Sequence, residues 1–316
     1  MKKTIYTLLA LLFTQLAWAQ DINKIITAGY VDQLIKTLSS DDMQGRATFS
    51  PGIDKAASFI ESEFKNIGLM PLKGETGYRQ TFFKDSTDQR PLFNVAGMIP
   101  GKSKPNEIVV FSAHYDHLGI IKANGTDSIA NGADDDASGT TAVIALAKYY
   151  KALNNNERTL IFIAFTAEEI GGFGSRHFSK KLNPDDVVAM FNIEMIGKES
   201  KFGKNAAFIT GYDKSDFGKI LQKNLAGTEF TFHPDPYIRQ QLFYRSDNAT
   251  LAALGVPAHT ISTDQIDKDE FYHTVKDEYE TLDTSNILST IKSIAKSAIS
   301  IIKGTDTPTR IPRLIE

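Results

Sequence analysis

The strongest constraint on this chain is a set of short, almost continuously apolar runs, each followed at once by acids or a histidine. Residues 108–113 (Ile-Val-Val-Phe-Ser-Ala), 159–165 and 187–193 are of this kind. A strand with one wet face alternates apolar and polar residues, whereas a run without alternation belongs to a strand covered on both faces. Helical patterns lie between and after these runs, at 138–151, 174–179 and 217–225, with further strands at 206–210 and 258–262. Strands alternating with helices predict a largely parallel sheet sandwiched by helices.

The flanks fit the same plan. Val31, Leu34, Ile35 and Leu38 share one helical face, and a second helix is predicted over 53–67, carrying Ala56, Phe59, Ile60 and Phe64 and stopping at Gly68. Strands are predicted at 78–83 and 93–99. A closing amphipathic helix over 285–302 presents Ile287, Ile291, Ile294, Ala298 and Ile301 to the sheet. The expected fold is a single α/β domain over residues 20–304, with a mixed, mostly parallel central sheet and helices on both faces. Residues 305–316, rich in threonine and proline, are expected to be a loosely held tail.

Residues 1–19 read differently. Lys2 and Lys3 precede a short apolar stretch that ends in Ala17-Trp18-Ala19, the pattern of a secretory signal peptide cleaved after Ala19. A membrane span needs roughly 20 apolar residues, and Thr4, Thr7, Thr14 and Gln15 interrupt this one. An exported protein, periplasmic or extracellular, is therefore expected. The chain has no cysteine, so it has neither disulfides nor a thioether-linked membrane anchor, and must rely on its core or on bound metal. With 35 basic against 38 acidic side chains and no basic stripe, it lacks the electrostatic footprint of a nucleic-acid partner.

Five segments bring chemistry to the strand ends, where α/β sheets bind ligands. In His114-Tyr115-Asp116-His117 an imidazole could bind a metal while a carboxylate steadies its other nitrogen. On its own this motif also suits an ordinary loop. Asp134-Asp135-Asp136 opens a helix, where one or two acids would answer the helix dipole. Three in a row repel one another and point to a cation. Glu168-Glu169 after the second buried strand can be a solvated helix start or a divided pair, one acid on metal and one moving protons. Glu194 follows the third strand, and Tyr272-His273 precedes an acidic stretch reaching Asp283.

Taken in order, these segments resemble the zinc-dependent exopeptidase family that includes bacterial leucyl aminopeptidase, glutamate carboxypeptidase and the animal-type glutaminyl cyclases. The resemblance extends to Ser40-Asp41-Asp42-Met43-Gln44-Gly45-Arg46 and Ser50-Pro51-Gly52. It implies two zinc ions, one held by His114 and Glu194, the other by Glu169 and His273, with Asp135 bridging. It further implies that Asp116 orients His114 and that Glu168 is the general base in hydrolysis of an amino-terminal peptide bond. Glu194 departs from the aspartate usual in the family, which makes the second zinc the weaker expectation. Charge balance agrees, since Asp135, Glu169 and Glu194 together with a hydroxide would neutralise two divalent ions.

The expected partner is a peptide substrate. Tyr272 and Asp247, the latter in Tyr244-Arg245-Ser246-Asp247-Asn248, are candidates for the pocket wall. His117 reads as a loop residue supporting the first motif, His177 as surface, His233 as a turn residue, and His259 as a core histidine. Two other functions stay open at this point, a glutaminyl cyclase and a non-catalytic binding protein on the same fold.

Overall fold

The computed structural model describes residues 21–314; the expected signal peptide lies outside them. Eight strands form one sheet in the spatial order β1 (Arg79–Phe83), β2 (Pro91–Ile99), β6 (Arg158–Phe165), β3 (Lys104–His114), β7 (Val187–Ile193), β10 (Ala258–Ser262), β8 (Ala206–Ile209) and β9 (Thr231–Pro234). The central β6, β3, β7 and β10 run parallel, and antiparallel pairing adds β2 on one side and β8 on the other. A separate hairpin, β4 (Gly119–Asn124) and β5 (Asp127–Ala130), was not evident in the sequence.

Strand residues alternate between two cores. Val109, Phe111, Leu160 and Phe162 face one, while Val110, Ile161, Ile163 and Phe165 face the other. Phe111 stacks between Phe162 and Phe191 at centroid distances of 5.3 and 4.8 Å. The larger core is covered by α2 (Ala28–Leu38), α3 (Pro51–Ile67), α4 (Gly139–Leu153) and α8 (Thr284–Ser297), after the short α1 (Ile22–Ile25). On the opposite face α5 (Phe173–Lys181) and α7 (Asn248–Ala253) pack through Phe178, Leu251 and Ala252. Helix α6 (Phe217–Asn224) joins the larger core through Phe217 and Leu221.

Local signals explain the helix limits. Ser50 accepts a hydrogen bond from the Ile53 amide, Pro51 occupies the first turn, and Gly68 ends α3 in the left-handed region at φ 81°. The expected closing helix is two pieces, α8 and α9 (Ile299–Ile302). At the break the Ser297 hydroxyl donates back to the Ile294 carbonyl at 3.0 Å, a competing bond that loosens the helical ladder.

The tail is a correction to the sequence reading. Instead of hanging loosely, residues 305–314 are fastened to the sheet: buried Arg158 donates to the Asp306 carbonyl at 2.8 Å and to Thr307, and Arg310 donates to the Val187 carbonyl at 2.7 Å. Ile311 is buried in the second core. Arg158 and the Val187 carbonyl, both far away in sequence, complete these anchors, so the tail's own composition could not reveal them.

A second buried arginine gathers the loops around the strand ends. Arg46, with no exposed surface, donates to the carbonyls of Tyr115 (2.8 Å), Leu38 (2.6 Å), Asn131 (2.6 Å) and Gly132 (2.9 Å). Replacing it strands buried carbonyl groups, each costing about 1–3 kcal/mol. Arg46→Met is expected to lower unfolding free energy in urea by about 3 kcal/mol or more. Arg46→Lys should recover little of it, because a single ammonium cannot serve carbonyls in several directions. Equal stability of wild type and Arg46→Met would show that these loops hold without the clasp.

Candidate metal centre

The parallel strands end level. His114 pairs with Phe165, Ser112 with Asn192, and Ile193 with Ile261, so the residues that follow emerge at one edge of the sheet. Ala167 and Met195 leave their strands with φ of 60° and 52°. Such left-handed turns at non-glycine residues are strained and concentrate at functional sites. Here they flank Glu168-Glu169 and Glu194.

The three consecutive aspartates do not open a regular helix. They lie in an irregular turn between Gly132 and Gly139, and their carboxylates part company. Asp136 accepts from the amides of Gly139 (3.0 Å), Met195 (3.1 Å) and His114 (3.3 Å). Asp134 accepts from the Gly197 amide at 2.6 Å. The turn itself is held by Asp277, whose two oxygens accept from the amides of Asp134 (2.9 Å) and Asp135 (3.0 Å). Asp277 was not singled out in the sequence, being one acid among several after His273.

Asp135 is thereby left to face the cavity. Its Oδ1 lies 3.1 Å from His114 Nε2, and its Oδ2 lies 3.2 Å from His273 Nε2. Glu169 Oε2 is 3.1 Å from the same His273 nitrogen. The expected ligands His114, Asp135, Glu169 and His273 therefore meet, with Asp135 in the middle. Glu168 and Glu194 line the same cavity as Asp135, Glu169 and His273.

Two expectations change. The Asp116 carboxylate is 3.9 Å from His114 Nδ1, whereas the Asp116 main-chain carbonyl is 3.1 Å from it. The carboxylate instead accepts from the amides of Glu168 (3.0 Å) and Glu169 (3.3 Å), fixing the turn that carries both acids. Asp247 is buried but is not among the residues lining the cavity, while Tyr272 is in the wall and stacks on His273 at 3.9 Å between centroids. Reading from motif spacing alone could not tell a side chain from its own carbonyl.

His117 is the site residue the sequence undervalued. Its Nδ1 is 2.9 Å from Glu169 Oε1 and 3.6 Å from Asp135 Oδ2, while its buried Nε2 has no hydrogen-bond partner among the described residues. Gly132 makes room for it, since a Cβ there would come within 2.5 Å of the imidazole. The other histidines lie apart. His259 is a satisfied core residue between Ser215 Oγ (2.7 Å) and the Thr210 carbonyl (2.8 Å), His177 stacks on Phe82, and His233 stacks on Phe202.

Electrostatically the site calls for positive charge. Burial works against the Asp135 anion, yet hydrogen bonds from His114 and His273 hold its carboxyl well below the ordinary range. Hydrogen bonds to Asp135 and Glu169 raise His273 to about 10. Glu168 goes the other way, pushed far up by burial and by the neighbouring Glu194, Asp247 and Asp116. Spacing agrees with a shared cation: two donors on one tetrahedral zinc with bonds of about 2.0–2.1 Å stand about 3.3 Å apart. The donors are imidazole and carboxylate without sulfur, a set that suits zinc.

Comparison with known proteins agrees with this architecture. The chain is 28% identical to leucine aminopeptidase 1 of Paracoccidioides brasiliensis over 286 residues, which cover 83% of this chain and 71% of that protein. In fold it is similar to a zinc aminopeptidase of Bacillus subtilis, with TM-score 0.70, 14% identity, and coverage of 88% of this chain and 95% of that one. It is also similar in fold to Porphyromonas gingivalis glutaminyl cyclase, with TM-score 0.67, 13% identity, and coverage of 88% and 99%. The model of peptidase family M28 matches residues 94–298, a span that runs from β2 to the end of α8 and includes every expected metal ligand, and the chain therefore belongs to peptidase family M28.

Proposed function

We propose that this protein is an exported zinc aminopeptidase, which removes amino-terminal residues from peptides. The observation that carries the reading is Asp135 set between His114 and His273, beside a Glu168 that makes no side-chain hydrogen bond among the described residues. His114 and Glu194 on one side, and Glu169 and His273 on the other, would hold zinc with Asp135 between. Zinc held there supplies Lewis-acid polarisation of the scissile carbonyl.

The rest of the chemistry belongs to the chain. Glu168, which lines the cavity beside Asp135 and Glu169, would as the carboxylate take a proton from the attacking water and return it to the leaving amine. Asp116 fixes the Glu168 and Glu169 amides, so that the base and its neighbouring ligand keep separate directions. The cavity, about 230 Å³, is smaller than the roughly 300–1,000 Å³ of pockets for drug-sized ligands. Room for about one residue suits an exopeptidase. Its apolar wall of Phe208, Leu242, Ile266 and Tyr272 suits an uncharged side chain, and the carboxyl groups of Glu168 and Glu194 offer hydrogen-bond acceptors to an amino terminus.

A second reading, glutaminyl cyclisation with a single zinc, has one observation in its favour. Among the described residues, His117, Asp135 and Glu169 converge as a metal-competent group, whereas Glu194 does not join one. Glu194 is instead approached by Asn192 Nδ2 at 3.5 Å, and Asn192 also donates to Ser246 at 2.7 Å. For export, the support is the leader pattern at residues 1–19. Among the described residues, no helix is long and apolar enough to cross a membrane.

Mass spectrometry of a mixed peptide pool incubated with the mature, zinc-loaded protein is expected to show stepwise loss of amino-terminal residues. Loss of ammonia from glutamine-led peptides alone would establish the cyclase instead. Glu168→Gln should retain zinc and lose about 100-fold or more in kcat, and full turnover in that variant would remove Glu168 from the role of base. Chelation should abolish activity and lower the Tm, with zinc restoring both, because an ion held by the folded chain and not by the unfolded one stabilises the fold. Activity that survives exhaustive chelation would exclude the metal reading.

A further inference from the structure

Next to the metal centre lies a second group of acids that the proposed reaction does not use. Oxygens of Asp134, Asp264 and Asp269 all lie within 4.8 Å of one another. Asp264 is 3% exposed, and neither of its carboxylate oxygens has a hydrogen-bond partner among the described residues. Oδ2 of fully buried Asp134 has none either. Buried carboxylate oxygens left in this state are costly unless something positive reaches them.

The nearby ammonium is too little for three anions. Lys198 Nζ contacts Asp269 Oδ2 at 2.5 Å and stands 3.8 Å from Asp134 Oδ2. It pairs with Asp269 and leaves Asp264 unserved. Three carboxyl groups face one ammonium, so ionising all three calls for further positive charge.

We propose that Asp134, Asp264 and Asp269 form a second cation site, next to the centre around Asp135 whose cavity Asp264 also borders, that takes a hard divalent ion such as calcium. All-oxygen donors select hard cations over zinc. Oxygens that all lie within 4.8 Å of one another can share one ion whose bonds are about 2.3–2.6 Å, the calcium range. A cavity of about 340 Å³ bordered by Lys198, Asp264, Asp269 and Phe271 gives the ion a path in and water to complete its shell.

The position gives the ion a structural task. Asp134 Oδ1 accepts from the Gly197 amide, and Asp134 directly precedes Asp135. Asp264 and Asp269 lie on the segment that leads from β10 to His273. A cation joining them ties the turn that presents Asp135 to the loop that presents His273.

The test is calcium titration of the zinc-loaded, full-length mature protein, followed by calorimetry and thermal unfolding, with zinc content measured alongside. Saturable binding of one calcium at concentrations up to about 10 mM, a rise in Tm of about 3 °C or more, and unchanged zinc are expected. Asp264→Asn and Asp269→Asn should each abolish the response while keeping zinc. Should Asp264→Asn fail to fold, Asp269→Asn carries the comparison. No binding to the wild type, an undiminished response in the folded variants, or calcium uptake matched by zinc loss would each overturn the proposal. Because zinc content and peptidase turnover are read separately, failure of this site leaves the reading of the catalytic centre to its own experiments.

Discussion

Main-chain amides decide which of the buried acids can do chemistry. Asp116, Asp136 and Asp277 each accept amide hydrogens with both carboxylate oxygens, and Asp134 does so with one. Those bonds fix turns and leave the three fully engaged acids little capacity for anything else. Asp135 and Glu169 accept no amide, and both point into the cavity beside histidine nitrogens. So many carboxylates at one sheet edge would be prohibitive if all were free. Division between structural and free acids is what makes the arrangement foldable and still hungry for cations.

The same division links the fold to the centre. Asp277 holds the Asp134-Asp135 amides, Asp116 holds the Glu168-Glu169 amides, and Asp136 joins β3, the start of α4 and the end of β7 through His114, Gly139 and Met195. Arg46 closes the set by binding carbonyls on the loops that carry Tyr115 and Gly132. Each free donor is therefore positioned by a partner from another strand end. Preorganisation of this kind keeps the donors at 3.1–3.2 Å without any flexible side chain having to search for its place.

Much of this was legible in the order of the residues. Buried strands such as 187–193 announce themselves by apolar continuity, and observed β7 has those bounds. His114, Asp135, Glu169 and His273 were readable because each follows a strand end or lies in a motif whose order is itself informative. What the sequence concealed depends on long-range geometry. Asp116 uses its carbonyl toward His114 and its carboxylate elsewhere, a split that no spacing rule encodes. His117 is separated from Glu169 by more than fifty positions, and only the β3 and β6 register brings them together. Arg158 and Arg310 pin a tail whose threonines and prolines suggested a loose end. Glycine supplied a weak clue for His117, since Gly132 is the residue that leaves space for its ring.

On the proposed reading the two sides of Asp135 are unequal. One side presents His273 and Glu169 with His117 close behind, three groups whose donor atoms converge within hydrogen-bond range. Across Asp135, His114 stands 3.1 Å away, but its expected companion Glu194 is longer by a methylene than an aspartate and is approached by Asn192. Burial raises the Glu194 carboxyl and works against its anion, so charge must be supplied before that group becomes a strong donor. A cation on the His273 side would supply part of it through Asp135. Occupancy of the second position is then conditional on the first, and the extra methylene of Glu194 acts on the number of metal ions bound more directly than on the protonation role given to Glu168.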